Sequence, residues 1–461
     1  MSLDPISFLT QYCSYPSVST DSSYAEGMIG ARAFIKAQLA GLGFTVEEVP
    51  TPLHPIVLAE RGPDRDDVPH VILYGHYDVQ PADPFELWQS PAFEAEVRDG
   101  RIYGRGTADN KGPQAVQLAA LSRILEKDPD LPLRLTFLIE GEEEMGSPSF
   151  PGFLKEYAPR LSQADMILLS DSASPSPKQI VITTGLRGLI GLEVTLTGPK
   201  GDLHSGICGG PVLNPITALA KLCASLHDEN GWVNIPGFYD AVIEPAAWER
   251  EELTKLDLTT EEFQQMLGVP KFLETGGNTP SELIRFFPTL EFNGIGGGYQ
   301  GEGSKTIIPS KAFTKITCRL VPDQVDTDIA EKVRQALLER CPPEVQIEVK
   351  VTEGGSPYYV APPGRENTDP QMSPVLAKAF GAAETAITDA FGRPPVCLRE
   401  GGSIPIIRQL KDATGLDSLM IGLFTPTDNL HAPNESFGLE MLEKATNAYE
   451  SILCKLAYPA N

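Results

Sequence analysis

The sequence predicts an α/β fold. A larger domain has a mostly parallel central sheet flanked by helices, and an inserted α+β lid or dimerisation module interrupts it. Three observations carry this. Short apolar runs alternate with helix-patterned segments over residues 1–170. Near residue 186 the strands change to an in–out alternation. After about residue 370 the first texture resumes. Strand–helix alternation is the mark of a largely parallel sheet, whereas in–out alternation marks strands with one solvated face. The 461 residues amount to roughly three ordinary domains in length, which allows one to three. The reading assigns 1–186 and 366–461 to the larger, discontinuous domain and 187–365 to the insertion.

Taken in order, residues 27–42 carry Ile29, Ala33, Ile35, Leu39 and Leu42 at helical spacing and stop before Gly43. Residues 70–74 form an apolar run ending at Gly75, as a buried strand does. Residues 112–125 read as a helix, 131–139 as a second strand closed by Glu140-Gly141, and 166–169 as a third, closed by Ser170-Asp171. In the insertion, 191–197 alternates Leu192, Val194 and Leu196 with Glu193, Thr195 and Thr197. Segments 307–321 and 345–351 are similar, and 214–226 reads as a helix. Residues 257–283 are polar and helix-prone, 294–303 reads as a glycine-rich loop, and 356–370, rich in Pro, Gly and Tyr, reads as the return linker. A strand at 418–424 and a helix at 439–456 complete the chain's pattern.

Composition excludes several classes of partner. With 37 Lys and Arg against 62 Asp and Glu, the net charge is −25. Such a surface repels phosphate backbones and anionic lipid, so neither nucleic acid nor a membrane is expected as a partner. No apolar run approaches the length needed to span a bilayer. Residues 1–15 lack the basic-then-apolar order of a secretory leader. The seven cysteines are dispersed, with no CxxC pair, which suits reduced thiols and a cytoplasmic location.

The chemistry-bearing residues collect at strand ends. His76 and Asp78 follow the strand at 70–74, Glu142, Glu143 and Glu144 follow 131–139, Asp171 follows 166–169, and His431 and Glu435 follow 418–424. Asp109 lies in a glycine-containing loop just before a helix. Ligands of open parallel sheets bind beyond the carboxyl ends of the strands, so these residues can share one site. Singly, each has an ordinary structural explanation: Asp109 as a helix cap, Asp171 as a turn former, the glutamates as an acidic helix start. Together, two histidines with several carboxylates and no nearby cysteine suit borderline divalent metals such as zinc, manganese or cobalt in a catalytic site. Two ions sharing a carboxylate would activate a water, and a further carboxylate could move its proton. This points to a dinuclear metal hydrolase without naming the bond it cuts.

Three segments carry a resemblance. They are His76-Tyr77-Asp78-Val79-Gln80-Pro81, Gly104-Arg105-Gly106-Thr107-Ala108-Asp109-Asn110-Lys111-Gly112, and Glu140-Gly141-Glu142-Glu143-Glu144-Met145-Gly146-Ser147. They resemble the signatures of the dinuclear metallopeptidase family that includes carnosine dipeptidase, aminoacylase, acetylornithine deacetylase and succinyl-diaminopimelate desuccinylase. The resemblance covers nearly the whole chain and is closest to the cytosolic nonspecific dipeptidase branch. Segments 198–210, 305–322 and 400–405 are similar to that branch as well.

The resemblance implies two divalent ions per subunit, zinc or manganese, bridged by Asp109. His76 and Asp171 would complete one ion, and Glu144 and His431 the other. Glu143 would be the general base and acid, with a metal-bridging hydroxide as nucleophile. Asp78 would orient His76, and the peptide after Asp109 would be cis. The insertion would be a lid and homodimerisation domain, with His204 donated across the interface to stabilise the oxyanion. Arg319 would bind the C-terminal carboxylate of a small peptide, a task its planar fork suits, with Thr306 and Ser403 hydrogen-bonding the substrate. Glu142 stands where the family often has an apolar residue, and aligning Gly141 and Gly146 places the base at Glu143. Asp at position 171 is the choice of the dipeptidase and aminopeptidase branches. The expected activity is therefore dipeptide hydrolysis. N-acyl amino acid deacylation and aminopeptidase action are the alternatives within the same chemistry. A metal-free binding or scaffold protein is the alternative from another class, and a dinuclear phosphoesterase is disfavoured by the net charge.

Overall fold

The computed structural model describes residues 3–65, 67–273 and 276–458. A nine-stranded sheet forms the centre. Its spatial order is Thr45–Val49, Ile56–Arg61, Arg134–Glu140, His70–His76, Met166–Leu169, Ser418–Ile421, Val181–Leu186 and Tyr358–Tyr359, with Val396–Glu400 also paired to Val181–Leu186. The four strands from Arg134–Glu140 to Ser418–Ile421 run parallel, and antiparallel pairs extend the sheet on both sides, so it is mixed. His70–His76, Met166–Leu169 and Ser418–Ile421 are buried at every position. Helices cover both of their faces, which explains why these runs show no alternation.

The helices fall into two groups. Pro5–Cys13, Lys111–Lys127, Leu439–Ala457 and Pro374–Phe391 pack side by side, and Phe150–Leu161 packs on Pro405–Thr414. Local chemistry starts several of them. Asp4 accepts the amide of Ser7, Asn214 that of Ile216 and Ser373 that of Val375, each with proline at the first helical turn. Among the described residues no helix is long and apolar enough to cross a membrane.

A second, antiparallel sheet of four strands has the order Thr289–Gly297, Lys311–Leu320, Gly188–Thr197, Gln346–Gly355. Alternate residues of Lys311–Leu320 are buried, and the opposite face looks outward. The inward face, with Ile190, Val194 and Ile316, packs on Leu219 of helix Pro215–Ala224 and on Val333 and Leu337 of helix Asp326–Arg340. This core is separate from that of the nine-stranded sheet. The chain crosses between sheets at Arg187, the one residue between Val181–Leu186 and Gly188–Thr197, and returns at Ser356 and Pro357. The crossings touch: a Cβ on Gly188 would stand 2.6 Å from the Gly355 carbonyl oxygen and 2.8 Å from the Pro357 nitrogen. Glycine permits this approach.

Two segments differ from expectation. Part of the glycine-rich stretch at 294–303 is strand, because Thr289–Gly297 pairs along Lys311–Leu320. The Phe313 ring lies across this strand, and a Cβ on Gly296 would stand 2.6 Å from it. Glycine there makes room for a cross-strand aromatic. The expected return linker at 356–370 contains Tyr358–Tyr359, which pairs with Val181–Leu186 in the central sheet. Helix Ala247–Thr254, also within 187–365, packs on the central strand Val396–Glu400.

Candidate metal centre

His76 is the last residue of its strand, and its ring is fully buried. Gln114, from helix Lys111–Lys127, donates to the His76 carbonyl at 2.6 Å and holds that strand end. Asp171 lies two residues past Met166–Leu169, the parallel neighbour. Asp109 comes from the loop before Lys111–Lys127, and its peptide bond to Asn110 is cis, as the resemblance implies. Glu143 and Glu144 sit in a single 3-10 turn after Arg134–Glu140. His431 lies beyond Ser418–Ile421 with left-handed backbone, φ 58°, between Asn429 and Asn434 of the same conformation.

These residues form two halves that share Asp109. On one side His76 Nε2 is 3.1 Å from Asp109 Oδ1 and 3.9 Å from Asp171 Oδ1. On the other, His431 Nε2 is 3.1 Å from Asp109 Oδ2 and 3.4 Å from Glu144 Oε2. Donor atoms of His76, Asp109 and Glu144 all lie within 4.8 Å of one another. Imidazole nitrogens and carboxylate oxygens gathered this closely suit a divalent cation of the zinc or manganese type. The electrostatics agree with a site built for cations. Burial pushes Glu144 up to about 10, and the charge of Asp109 adds to that. Burial pushes Glu143 well above the ordinary carboxylate range, with Asp171 and Asp109 adding to it against the pull of His76. Asp109 goes the other way: despite its burial, hydrogen bonds with His431 and His76 hold it well below the usual range. Positive charge placed among these carboxylates would relieve their mutual repulsion.

The surrounding groups fix orientation. The His76 Nδ1 atom lies 3.1 Å from the Asp78 carbonyl oxygen and 3.4 Å from Asp78 Oδ1, which turns Nε2 toward Asp109. Asp78 Oδ2 accepts the Glu144 amide at 3.1 Å, so one carboxylate braces both halves. Asp78 Oδ1 is buried without a hydrogen bond. Gln80 donates to Glu144 Oε2 at 2.8 Å, and Asn110 to Asp171 Oδ1 at 2.9 Å.

The three consecutive glutamates have three different surroundings. Glu142 turns away and accepts the amides of His54 and Ser149 at 2.8 and 2.9 Å. Glu144 joins His431 and Gln80. Glu143 makes no side-chain hydrogen bond among the described residues, which leaves its carboxyl beside the cluster free to accept a proton.

In sequence Glu435 stands out only by its position beyond a strand. Its buried carboxylate accepts the amides of Gly106, Ala108 and Asp109 at 3.0, 2.9 and 3.0 Å and pairs with the Arg105 guanidinium at 2.6 Å. It thereby ties the His431 segment to the Asp109 loop. No short-range pattern announces that role, because its partners lie more than 320 residues away.

The remaining expected residues lie in two other places. His204 is on the two-residue strand Leu203–His204, paired with Ile307–Ile308, and its Nδ1 accepts the Gly206 amide at 3.1 Å. The Thr306 carbonyl accepts the Ser205 amide at 3.0 Å, so His204 and Thr306 are neighbours, both exposed. Among the described residues neither forms a hydrogen bond or ion pair with the metal-ligand cluster. Arg319, on Lys311–Leu320, donates to Ser403 Oγ at 2.8 Å and joins those two residues near the crossing at Arg187.

The comparisons with known proteins agree. The Cys-Gly metallodipeptidase dug1 of Schizosaccharomyces pombe is 28% identical over 97% of this chain and 94% of its own length. The Beta-Ala-His dipeptidase of Rattus norvegicus is 32% identical over 84% of this chain and 77% of its own. Among solved structures, the M20 family metallo-carboxypeptidase Sso-CP2 of Sulfolobus solfataricus superposes with a TM-score of 0.84 at 29% identity, covering 99% of this chain and 100% of that one. The profile described as peptidase family M20/M25/M40 matches residues 72–455, and the chain belongs to that family.

Proposed function

We propose that this chain hydrolyses the peptide bond of dipeptides in a site that holds two divalent ions, zinc or manganese. The observation that carries the reading is the pair of histidine–carboxylate halves sharing Asp109, with the unbonded Glu143 beside them. His76 and Asp171 would complete one ion and Glu144 and His431 the other, with Asp109 common to both. When bound, the ions supply an activated water and polarise the scissile carbonyl. Glu143 accepts the proton of the water and delivers it to the departing amine. Asp78 keeps His76 in the tautomer that presents Nε2.

The rest of the reading concerns the substrate. Arg319 takes the C-terminal carboxylate, and Ser403 and Thr306 hydrogen-bond the peptide. The second sheet with its helices serves as lid and dimerisation module, and the partner's His204 stabilises the developing oxyanion. The exposure of His204, and the lack of any hydrogen bond or ion pair from it to the cluster among the described residues, support that role. The seven unpaired cysteines support a cytoplasmic location.

A second reading, carboxypeptidase action on longer peptides, is supported by the TM-score of 0.84 to a metallo-carboxypeptidase. The deciding experiment is a panel of dipeptides, tripeptides, longer peptides and acyl-amino acids. It is run on metal-stripped protein reloaded with zinc or manganese, one ion at a time. Cleavage confined to dipeptides is the expected result. Cleavage of longer peptides from the carboxyl end would establish the second reading. Deacylation alone, or no metal uptake and no hydrolysis, would overturn both.

A further inference from the structure

Three arginines meet where the chain crosses between the sheets. Arg187 is the crossing residue, Arg285 lies on helix Pro280–Phe286, and Arg319 lies on the neighbouring sheet. Their hydrogen bonds go to neutral oxygens. Arg187 Nε donates to the Gly401 carbonyl at 2.7 Å, Arg285 Nη1 to the Ser281 carbonyl at 3.1 Å and Arg319 Nη1 to Ser403 Oγ at 2.8 Å. Among the described residues none of the three forms an ion pair. The carboxylates of Glu400, Glu291 and Glu353 are close enough to act on these charges, yet none comes within ion-pair distance, and Glu400 accepts the Gly401 amide instead. Arg187 Nη1 and Arg285 Nε are buried with no partner at all. The charges feel one another: burial first, then the positive charge of Arg319, pulls Arg187 down to about 10.

Buried donors without acceptors are rare in folded proteins and costly where they occur, unless a ligand supplies the acceptor. Guanidinium forks match carboxylates in two-point geometry. A cavity of about 140 Å³ adjoins the cluster; Arg187, Arg408, Ser403, Gly146 and the Glu353 carboxylate line it, with Arg285 and Arg319 set behind Arg187 outside the lining. Gly146 is two residues past Glu144, so the cavity reaches the turn that carries the candidate base. Three guanidiniums exceed what one terminal carboxylate requires.

We propose that Arg187 and Arg285, beside Arg319, form an anion pocket for a second carboxylate, and that the preferred substrates are dipeptides ending in aspartate or glutamate. This rests on the dipeptidase reading above and names its substrate class.

The test compares kcat/KM for Ala-Asp with that for the isosteric, neutral Ala-Asn, using the metal-loaded enzyme. The wild type favours Ala-Asp by about tenfold or more, the scale of one charge-assisted contact. Arg285→Gln and Arg187→Gln each bring the ratio toward one, and Arg285→Lys retains part of it. A wild-type ratio near one, or a ratio unchanged in both Gln variants, overturns the inference and leaves the dipeptidase reading standing. The wild-type ratio needs no variant to fold. Cleavage of neither peptide by enzyme that cleaves other dipeptides overturns this inference alone; cleavage of no dipeptide at all overturns the dipeptidase reading with it.

Discussion

The cluster around Asp109 and the short strand pair that carries His204 hold their side chains in opposite ways. In the cluster, His76 and Asp78 are fully buried, the strand end of His76 and the loop of Asp109 are pinned by buried hydrogen bonds, and His431 is the one ligand candidate whose side chain is more than half exposed. His204 sits on a two-residue strand and is exposed, with one local hydrogen bond to Gly206. The first arrangement is complete within one chain, and rigid support of this kind is what a metal site requires. The second faces outward, so the role proposed for His204 requires closure or another subunit to bring it to the reaction.

Four experiments break or sharpen that contrast. Glu143→Gln should lower kcat by on the order of 10²–10⁴-fold while metal content, read by elemental analysis, stays at the wild-type level. A variant with near-normal turnover removes Glu143 from the mechanism. His204→Ala should cost about 10²–10³-fold. Mixed with Glu143→Gln under conditions that exchange subunits, it should regain activity. No regain in verified heterodimers would return His204 to a role inside its own chain.

Glu435→Gln leaves Arg105 buried and unpaired. It should weaken metal binding by about 10–100-fold in a competitive chelator titration. It should also lower stability by about 3–5 kcal/mol in denaturant unfolding, the scale for breaking a buried ion pair. Metal affinity equal to wild type would show that the Asp109 loop holds its shape without this support. The smallest effect is expected on the outer face of the second sheet. There Lys315 and Glu193 stand 3.7 Å apart with side chains 58% and 49% exposed. Lys315→Gln should change stability by less than about 1 kcal/mol.

Much of the centre was legible because its residues follow recognisable strands. The apolar runs before His76 and Asp171 are buried on both faces, so their ends can be read without knowing which strands pair. The positions of Asp109 and Glu144 were legible, but their individual roles depended on motif resemblance, since a loop aspartate and one glutamate among three carry little local signal. The separate task of Glu142 was not legible, because its partner His54 lies 88 residues away and Ser149, seven residues on, reaches it only through the turn between them. Arg187 and Arg285 were missed for the same reason: each is a lone arginine in sequence, and only the crossing brings them beside Arg319. The glycines before Gly297 looked like loop because the feature that makes them strand, the Phe313 ring, lies on the adjacent strand. Composition cannot report such a neighbour.

The bond between His431 and Asp109 joins residues 322 positions apart, and this spacing governs when the centre can exist during synthesis. A ribosome adding about 5–20 residues per second leaves roughly 16 to 64 s between them. During that interval the growing chain has His76 and Asp109, and Asp171 from residue 171 onward, but neither His431 nor Glu435. The half-centre made first can meet a cation, yet the loop that holds Asp109 still lacks its buttress. On the reading proposed above, hydrolytic competence waits until residue 435 has left the ribosome and folded back.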